Sequence, residues 1–139
     1  MSDNCRFAFA VHVLGVLALR RDEPTTSEEL AHSVNTNAVV IRRLLGELNE
    51  AGLVESQRGP GGGTRLAQNA KDITLAQIYR ASSGEIAPFG SHPNTPAQCC
   101  PIGKGISRVL EEVAARARHA VEREYESTTL ADVVKAVQL

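Results

Sequence analysis

Two groups of residues in this chain carry chemistry. The first is Cys99-Cys100, a pair of adjacent thiols, with Cys5 far away in sequence. Thiolates are nucleophiles and redox groups, and they hold iron–sulfur clusters. Cys100 directly precedes Pro101 and the start of an expected long helix, where the positive end of the helix dipole favours a thiolate. The second group is Arg58-Gly59-Pro60-Gly61-Gly62-Gly63, followed by Arg65 and preceded by Arg42 and Arg43. Guanidinium groups around a slim glycine-rich turn suit a phosphate backbone, because backbone N–H groups there can approach phosphate oxygens.

Each group has competing readings. A glycine-rich loop can cradle a nucleotide phosphate, but that motif needs Gly-Lys-Ser/Thr entering a helix. Here Gly63 leads into Thr64-Arg65-Leu66, which reads as a strand. A plain hairpin turn with no ligand is the bland alternative. For the thiols, a redox enzyme centred on Cys99-Cys100 would need an activating base or cation and a pocket. Lys104 lies four residues beyond Cys100, but no wider catalytic constellation accompanies it. His12, His32, His92 and His119 are too scattered to suggest a metal site by spacing, and His12 reads as a core histidine.

The elements around the glycine-rich run give it context. Strand-like segments at 53–57 and 64–67 flank it. Upstream, residues 37–51 form a helix whose apolar stripe is Ile41, Leu44, Leu45 and Leu48. Before that, a short helix is expected over 27–33, capped by Thr26 or Ser27 with Glu28 and Glu29 in its first turn. Helix, turn, helix, strand, glycine-rich turn, strand is the layout of a winged helix-turn-helix. In that layout Thr26, Ser27, Asn37, Val40, Arg42 and Arg43 face DNA from the helices, and Arg58, Gly59, Gly61, Gly62 and Arg65 from the wing. Asn37 would pair with adenine, and Arg42 or Arg43 with guanine. Either arginine could instead contact phosphate or form an ion pair with Glu47.

A first helix over 7–20 is apolar at helical spacing, through Phe7, Ala10, Val11, Leu14 and Leu17. It is too short to span a bilayer, and Arg20-Arg21-Asp22 follows it where a signal peptide would place small residues. A cytoplasmic protein is expected, and three cysteines, an odd number, argue against a secreted disulfide framework. In 139 residues, 42% are hydrophobic but only 4% aromatic, so the core must be aliphatic. The formal net charge of -1 excludes a nonspecific basic coat. It allows a sequence-specific binder whose cations lie on one face.

After the wing come a short helix ending near 83, a loop over 85–101 and a long helix from about 103. That helix repeats Ile106, Val109, Leu110, Val113, Ala117 and Val121 at three and four. It is expected to run about 20 residues, or ~30 Å, more than so small a chain can cover, and a dimer seam follows. A final helix over 130–137 is capped by Thr128 or Thr129. The fold class is therefore mainly α with a small β-wing. The expected parts are a winged helix-turn-helix domain at 1–84, a sensor-type loop at 85–102, and the dimerisation helix with the C-terminal helix at 103–139.

The segments Thr26-Ser-Glu-Glu-Leu-Ala, Asn35-Thr-Asn-Ala-Val-Val-Ile-Arg-Arg-Leu-Leu, Ala51-Gly-Leu-Val-Glu-Ser and Arg58-Gly-Pro-Gly-Gly-Gly-Thr-Arg-Leu-Ala resemble the BadM/IscR-like (Rrf-two) family of bacterial winged-helix transcriptional regulators. The resemblance continues through Ile73-Thr-Leu-Ala-Gln-Ile-Tyr, Cys100-Pro-Ile-Gly and Thr129-Leu-Ala-Asp-Val, nearly the whole chain. It implies a homodimer with crossed long helices that represses or activates transcription at operator DNA; a repressor is the expectation. Thr64 departs from the family's usual tyrosine, which should weaken packing behind the wing.

Cluster-binding members of the family carry three cysteines in the loop before the long helix, with several residues between them. Here Cys99 and Cys100 are side by side, so no cofactor is expected. The alternative is an iron–sulfur cluster with mixed ligands from His92, Cys99 and Cys100. A thiol switch using Cys100, Cys99 and Cys5 is a further reading, beside inert cysteines with Cys5 packed against the first helix. An unidentified small ligand or partner protein at the dimer arm stays open as the signal. A winged helix kept for protein contact alone would show no salt-dependent DNA binding.

Overall fold

The computed structural model describes residues 3–87, 90 and 92–138. Helix α1 (Asp3–Arg20) places Ala10, Val13, Leu14 and Leu17 on one fully buried face. Helix α2 (Ser27–Val34) starts at Thr26, whose hydroxyl accepts from the Glu29 N–H while the Glu29 carboxylate accepts from the Thr26 N–H. This capping box satisfies two otherwise orphaned donors. Asn35, in the left-handed region at φ 68°, ends the helix and turns the chain. Asn37 then caps α3 (Ala38–Glu50), and Gly52 at φ 76° follows it.

Strands β1 (Val54–Gln57) and β2 (Gly63–Leu66) pair antiparallel, from Val54 opposite Leu66 to Gln57 opposite Gly63. A single 3-10 turn (Ala70–Asp72) leads to α4 (Leu75–Ser83). The chain ends with α5 (Pro101–Ser127) and α6 (Leu130–Val137). The core is aliphatic, built from Leu14, Leu17, Leu30, Ile41, Leu44, Leu48, Leu53, Ile73, Ile78 and Leu130. Each such leucine or isoleucine contributes about 1.5–3 kcal/mol through burial. Leu130 joins this core because its N–H donates to the Ile73 carbonyl at 2.8 Å and α6 packs along α1.

Helix α5 is the exception to this burial. It has 27 residues and none is buried, giving a rod of about 40 Å. Its C-terminal part is held to the head by Tyr125, whose ring packs on Phe7 and Tyr79 (centroids 5.2 and 5.9 Å), and by Glu126 paired with Arg80. The rod begins at Pro101 rather than near 103, because proline is favoured in the first helical position. It runs past the expected 20 residues because no breaker stands between Val121 and Thr128. Two other expectations are corrected. Helix α1 starts early enough to include Cys5, which is exposed on it rather than packed beside it. His12 is also exposed, with Nε2 2.9 Å from the Ser33 hydroxyl, and is not a core histidine.

Candidate nucleic-acid interface

Helix α3 divides cleanly into two faces. Ile41, Leu44, Leu45 and Leu48 are buried, while Val39, Arg42, Arg43 and Gly46 are exposed at the complementary three-and-four spacing. The buried leucines therefore fix the direction in which the outward residues project. Val39 is 62% exposed and is the residue that sequence reasoning missed. The expected Val40 is half-buried, and its N–H donates to the Asn37 side chain at 3.0 Å. Residues 39, 42/43 and 46 lie opposite the leucine stripe, so the same periodicity identifies Val39. An exposed methyl-bearing side chain suits contact with a thymine methyl group.

Partners distinguish the cations. Arg42 Nη2 is 2.8 Å from Glu28 Oε1, an ion pair that ties α3 to α2. The expected partner, Glu47, instead binds Arg6, which also donates to the Ser82 carbonyl at 2.9 Å. The Arg43 side chain forms no ion pair or hydrogen bond among the described residues. The Glu28 carboxyl lies below its usual value because its own backbone N–H and then Arg42 stabilise the anion. Glu29 is lowered mainly by the Thr26 N–H. Asn37 is the cap of α3, its side-chain oxygen accepting from the Val40 N–H at 3.0 Å, which leaves that oxygen's second lone pair and the side-chain NH2 for a base. Thr26 and Ser27 are half-buried at the start of α2, where Thr26 is occupied by its capping box.

The wing sits beside this face on a backbone anchor. Thr25 and Thr64 form an isolated antiparallel bridge, with N–H to carbonyl distances of 2.9 and 2.8 Å. Thr64 is 5% exposed, so the position is filled although the family's tyrosine is missing. Gly63 (φ 153°) passes so close to Thr25 that a β-carbon would lie 2.7 Å from its carbonyl oxygen. At the tip, a β-carbon on Gly62 would come within 2.2 Å of the Gln57 carbonyl. Glycine is required at both places to keep the wing narrow and seated against the start of α2. Gly59 and Gly61 are exposed at the tip beside Arg58. Arg58 is exposed and makes no ion pair among the described residues, whereas Arg65 Nε is 2.7 Å from Glu55 Oε1. The interface thus combines two neutralised arginines with two open ones.

The cysteine pair lies at the N-terminus of α5, apart from this face. Cys99 and Cys100 are both exposed. Cys100 is the N-cap residue; its sulfur closes no regular capping hydrogen bond, yet the Gly103 and then the Ile102 N–H groups hold its thiol below the usual range. The loop folds back on the helix here: a β-carbon on Gly103 would lie 2.2 Å from the Ala97 carbonyl. A groove of about 720 Å³ between the loop and α5 is lined in part by His92, Gln98, Lys104, Ser107 and Glu111, and neither cysteine lines it. Among the described residues, no three His, Cys, Asp or Glu side chains stand close enough to share a metal ion. Cys5, Cys99, Cys100 and His92 are therefore not gathered into one ligand set.

A helix-turn-helix with an outward cationic face, seated beside a two-stranded glycine-tipped wing, defines a winged-helix DNA-binding regulator. The comparisons place it more narrowly. The model of the Rrf2 family, described as an iron-dependent transcriptional regulator, matches residues 4–136. The chain belongs to the Rrf2 family. It is 39% identical over 131 residues to YwnA of Bacillus subtilis, named a putative HTH-type transcriptional regulator, covering 94% of this chain and 96% of that one. The structure of CymR, the global cysteine regulator of B. subtilis, matches with a TM-score of 0.72 and 28% identity over 94% of both chains. That of T. potens IscR matches with a TM-score of 0.72 and 25% identity, over 95% of this chain and 85% of that one. The chain is thus a transcriptional regulator of this family and not an enzyme. An iron–sulfur centre usually takes four protein ligands, and among the described residues of one protomer no three candidate ligands are gathered.

Proposed function

We propose that the protein is a homodimeric, sequence-specific DNA-binding repressor acting in the cytoplasm. The observation that carries this is the outward face of α3, where Val39, Arg42, Arg43 and Gly46 project away from a fully buried leucine stripe. In this reading α3 enters the major groove, and the wing places Arg58 and Arg65 on the phosphate backbone. The dimer seam is the exposed stripe of α5. Val109, Leu110 and Val113 are 43%, 37% and 38% exposed, and Ile106, Ala117 and Val121 are half-buried. Two heads related by a twofold axis would then read a pseudopalindrome. The test is base preference: Arg43→Ala should change which bases are selected at one position of each half-site. A uniform loss of affinity across all sequences would reassign Arg43 to phosphate.

The regulation we infer is thiol-based and centred on Cys100, supported by its lowered thiol pKa and its exposure. Because Cys100 caps the N-terminus of α5, which carries the dimer stripe, a change at Cys100 would reach the spacing of the two heads. Operator affinity should fall after mild peroxide treatment and return with reductant. Unchanged affinity in the treated protein, with Cys100 shown by mass to be oxidised, would overturn this regulation and leave the DNA reading intact.

A further inference from the structure

We propose that Cys99 and Cys100 form a chelating dithiol site for a monosubstituted trivalent arsenical. Adjacent α-carbons lie about 3.8 Å apart across a trans peptide. A regular disulfide needs about 4.4–6.8 Å, so the pair resists closing on itself and stays available as two thiols. Both are exposed, and Cys100 is poised as the better nucleophile by the N–H groups of Gly103 and Ile102. Their backbone is fixed rather than free. The Ala97 carbonyl packs against Gly103, and the Lys104 N–H donates to the Cys100 carbonyl at 2.8 Å.

The ligand class follows from the number of donors. Zinc takes four ligands and an iron–sulfur cluster usually four, and no third His, Cys, Asp or Glu among the described residues completes a set around these thiols. A monosubstituted trivalent arsenic centre brings its own carbon substituent and needs only two sulfur bonds. Thiolates favour such soft centres. Both thiols are exposed, which leaves the substituent open to solvent, and a groove lined by the flanking Gln98 and Gly103 among others opens nearby. The reaction balances without an oxidant. Two S–H groups and one As=O group give two As–S bonds and one water, and arsenic stays trivalent. Once one thiolate is bound, the second closes within the same chain, which strengthens binding through its high local concentration.

The test uses the reduced full-length chain with phenylarsine oxide, read by intact mass and by titration of the remaining thiols. One phenylarsenic group per chain is expected, with the loss of two titratable thiols. The Cys5→Ser variant should bind as the parent does, whereas Cys99→Ser and Cys100→Ser should each bind about a hundredfold or more weakly, because the intramolecular second bond is lost. Both positions are exposed, so the serine variants should keep the parent's helical circular dichroism. Parent-like affinity in either single variant, loss of binding in Cys5→Ser, or one arsenic shared between two chains would each overturn the proposal. None of these readouts depends on DNA binding, so the site stands or falls separately from the operator reading.

Discussion

Removing Arg58 should flatten the salt dependence of operator binding more than removing Arg65. Arg58 follows β1 at the tip of the wing and Arg65 lies within β2, and they differ in their partners. Arg65 Nε is 2.7 Å from Glu55 Oε1, whereas Arg58 is exposed with no ion pair among the described residues. A cation already neutralised by a carboxylate displaces fewer counterions from DNA. In a dimer, Arg58→Ala removes two phosphate contacts, each contributing about 0.9 to the slope of log affinity against log salt, so the slope should fall by about 1.8. Between about 50 and 200 mM salt that corresponds to roughly a tenfold change in how steeply affinity is lost. Arg65→Ala should produce a smaller change, and Glu55→Gln, which frees Arg65, a steeper slope than the parent's. Fluorescence anisotropy of a labelled operator across a salt series measures all three. An unchanged slope for Arg58→Ala would remove the wing from the contact surface. A larger effect for Arg65 than for Arg58 would refute the ion-pair reasoning.

Gly63→Ala places a β-carbon 2.7 Å from the Thr25 carbonyl and should destabilise the wing by about 1–3 kcal/mol; calorimetry and operator titration should both register it, and a parent-like result in both would show that the bridge yields freely. Leu48→Ala empties a fully buried position on α3 and should cost about 2–5 kcal/mol in urea unfolding; a loss under about 1 kcal/mol would mean the site collapses around the gap. Val113→Glu puts a charge in the exposed α5 stripe and should shift sedimentation from dimer to monomer; an unchanged dimer would move the seam elsewhere. In a Cys5→Ser/Cys99→Ser background, alkylation of Cys100 should stay fast to lower pH than for a simple thiol, since a lowered pKa preserves the thiolate as pH falls. A half-rate pH equal to that of the simple thiol would contradict the effect of the helix N-terminus.

Much of the DNA-binding head was legible because its determinants are local. Thr26 and Glu29 stand three apart and form the capping box of α2. Ile41, Leu44, Leu45 and Leu48 mark the buried side of α3, and the glycines at 59–63 mark the wing. The same periodicity, read on the opposite side of the helix, places Val39 outward beside the half-buried Val40. Pairings across the fold left no such trace. Arg42 meets Glu28 fourteen residues away, and Arg6 meets Glu47 forty-one residues away. Each partner was one of several acidic residues at plausible spacing, and only the packing of α1, α2 and α3 selects among them. The long helix was legible as an apolar seam, but its hold on the head was not. The cluster of Phe7, Tyr79 and Tyr125 brings together three segments that are remote in sequence.

The most direct test of the central claim is selection of binding sites from random duplex DNA by the reduced, untagged protein. A homodimer reading through α3 should recover a pseudopalindrome whose half-site centres lie about 10 base pairs, or one helical turn, apart or a multiple of that. The enriched positions should change in the Arg43→Ala protein. Sites without twofold symmetry, or no enrichment above the starting pool, would contradict a dimeric operator-binding regulator built on this face.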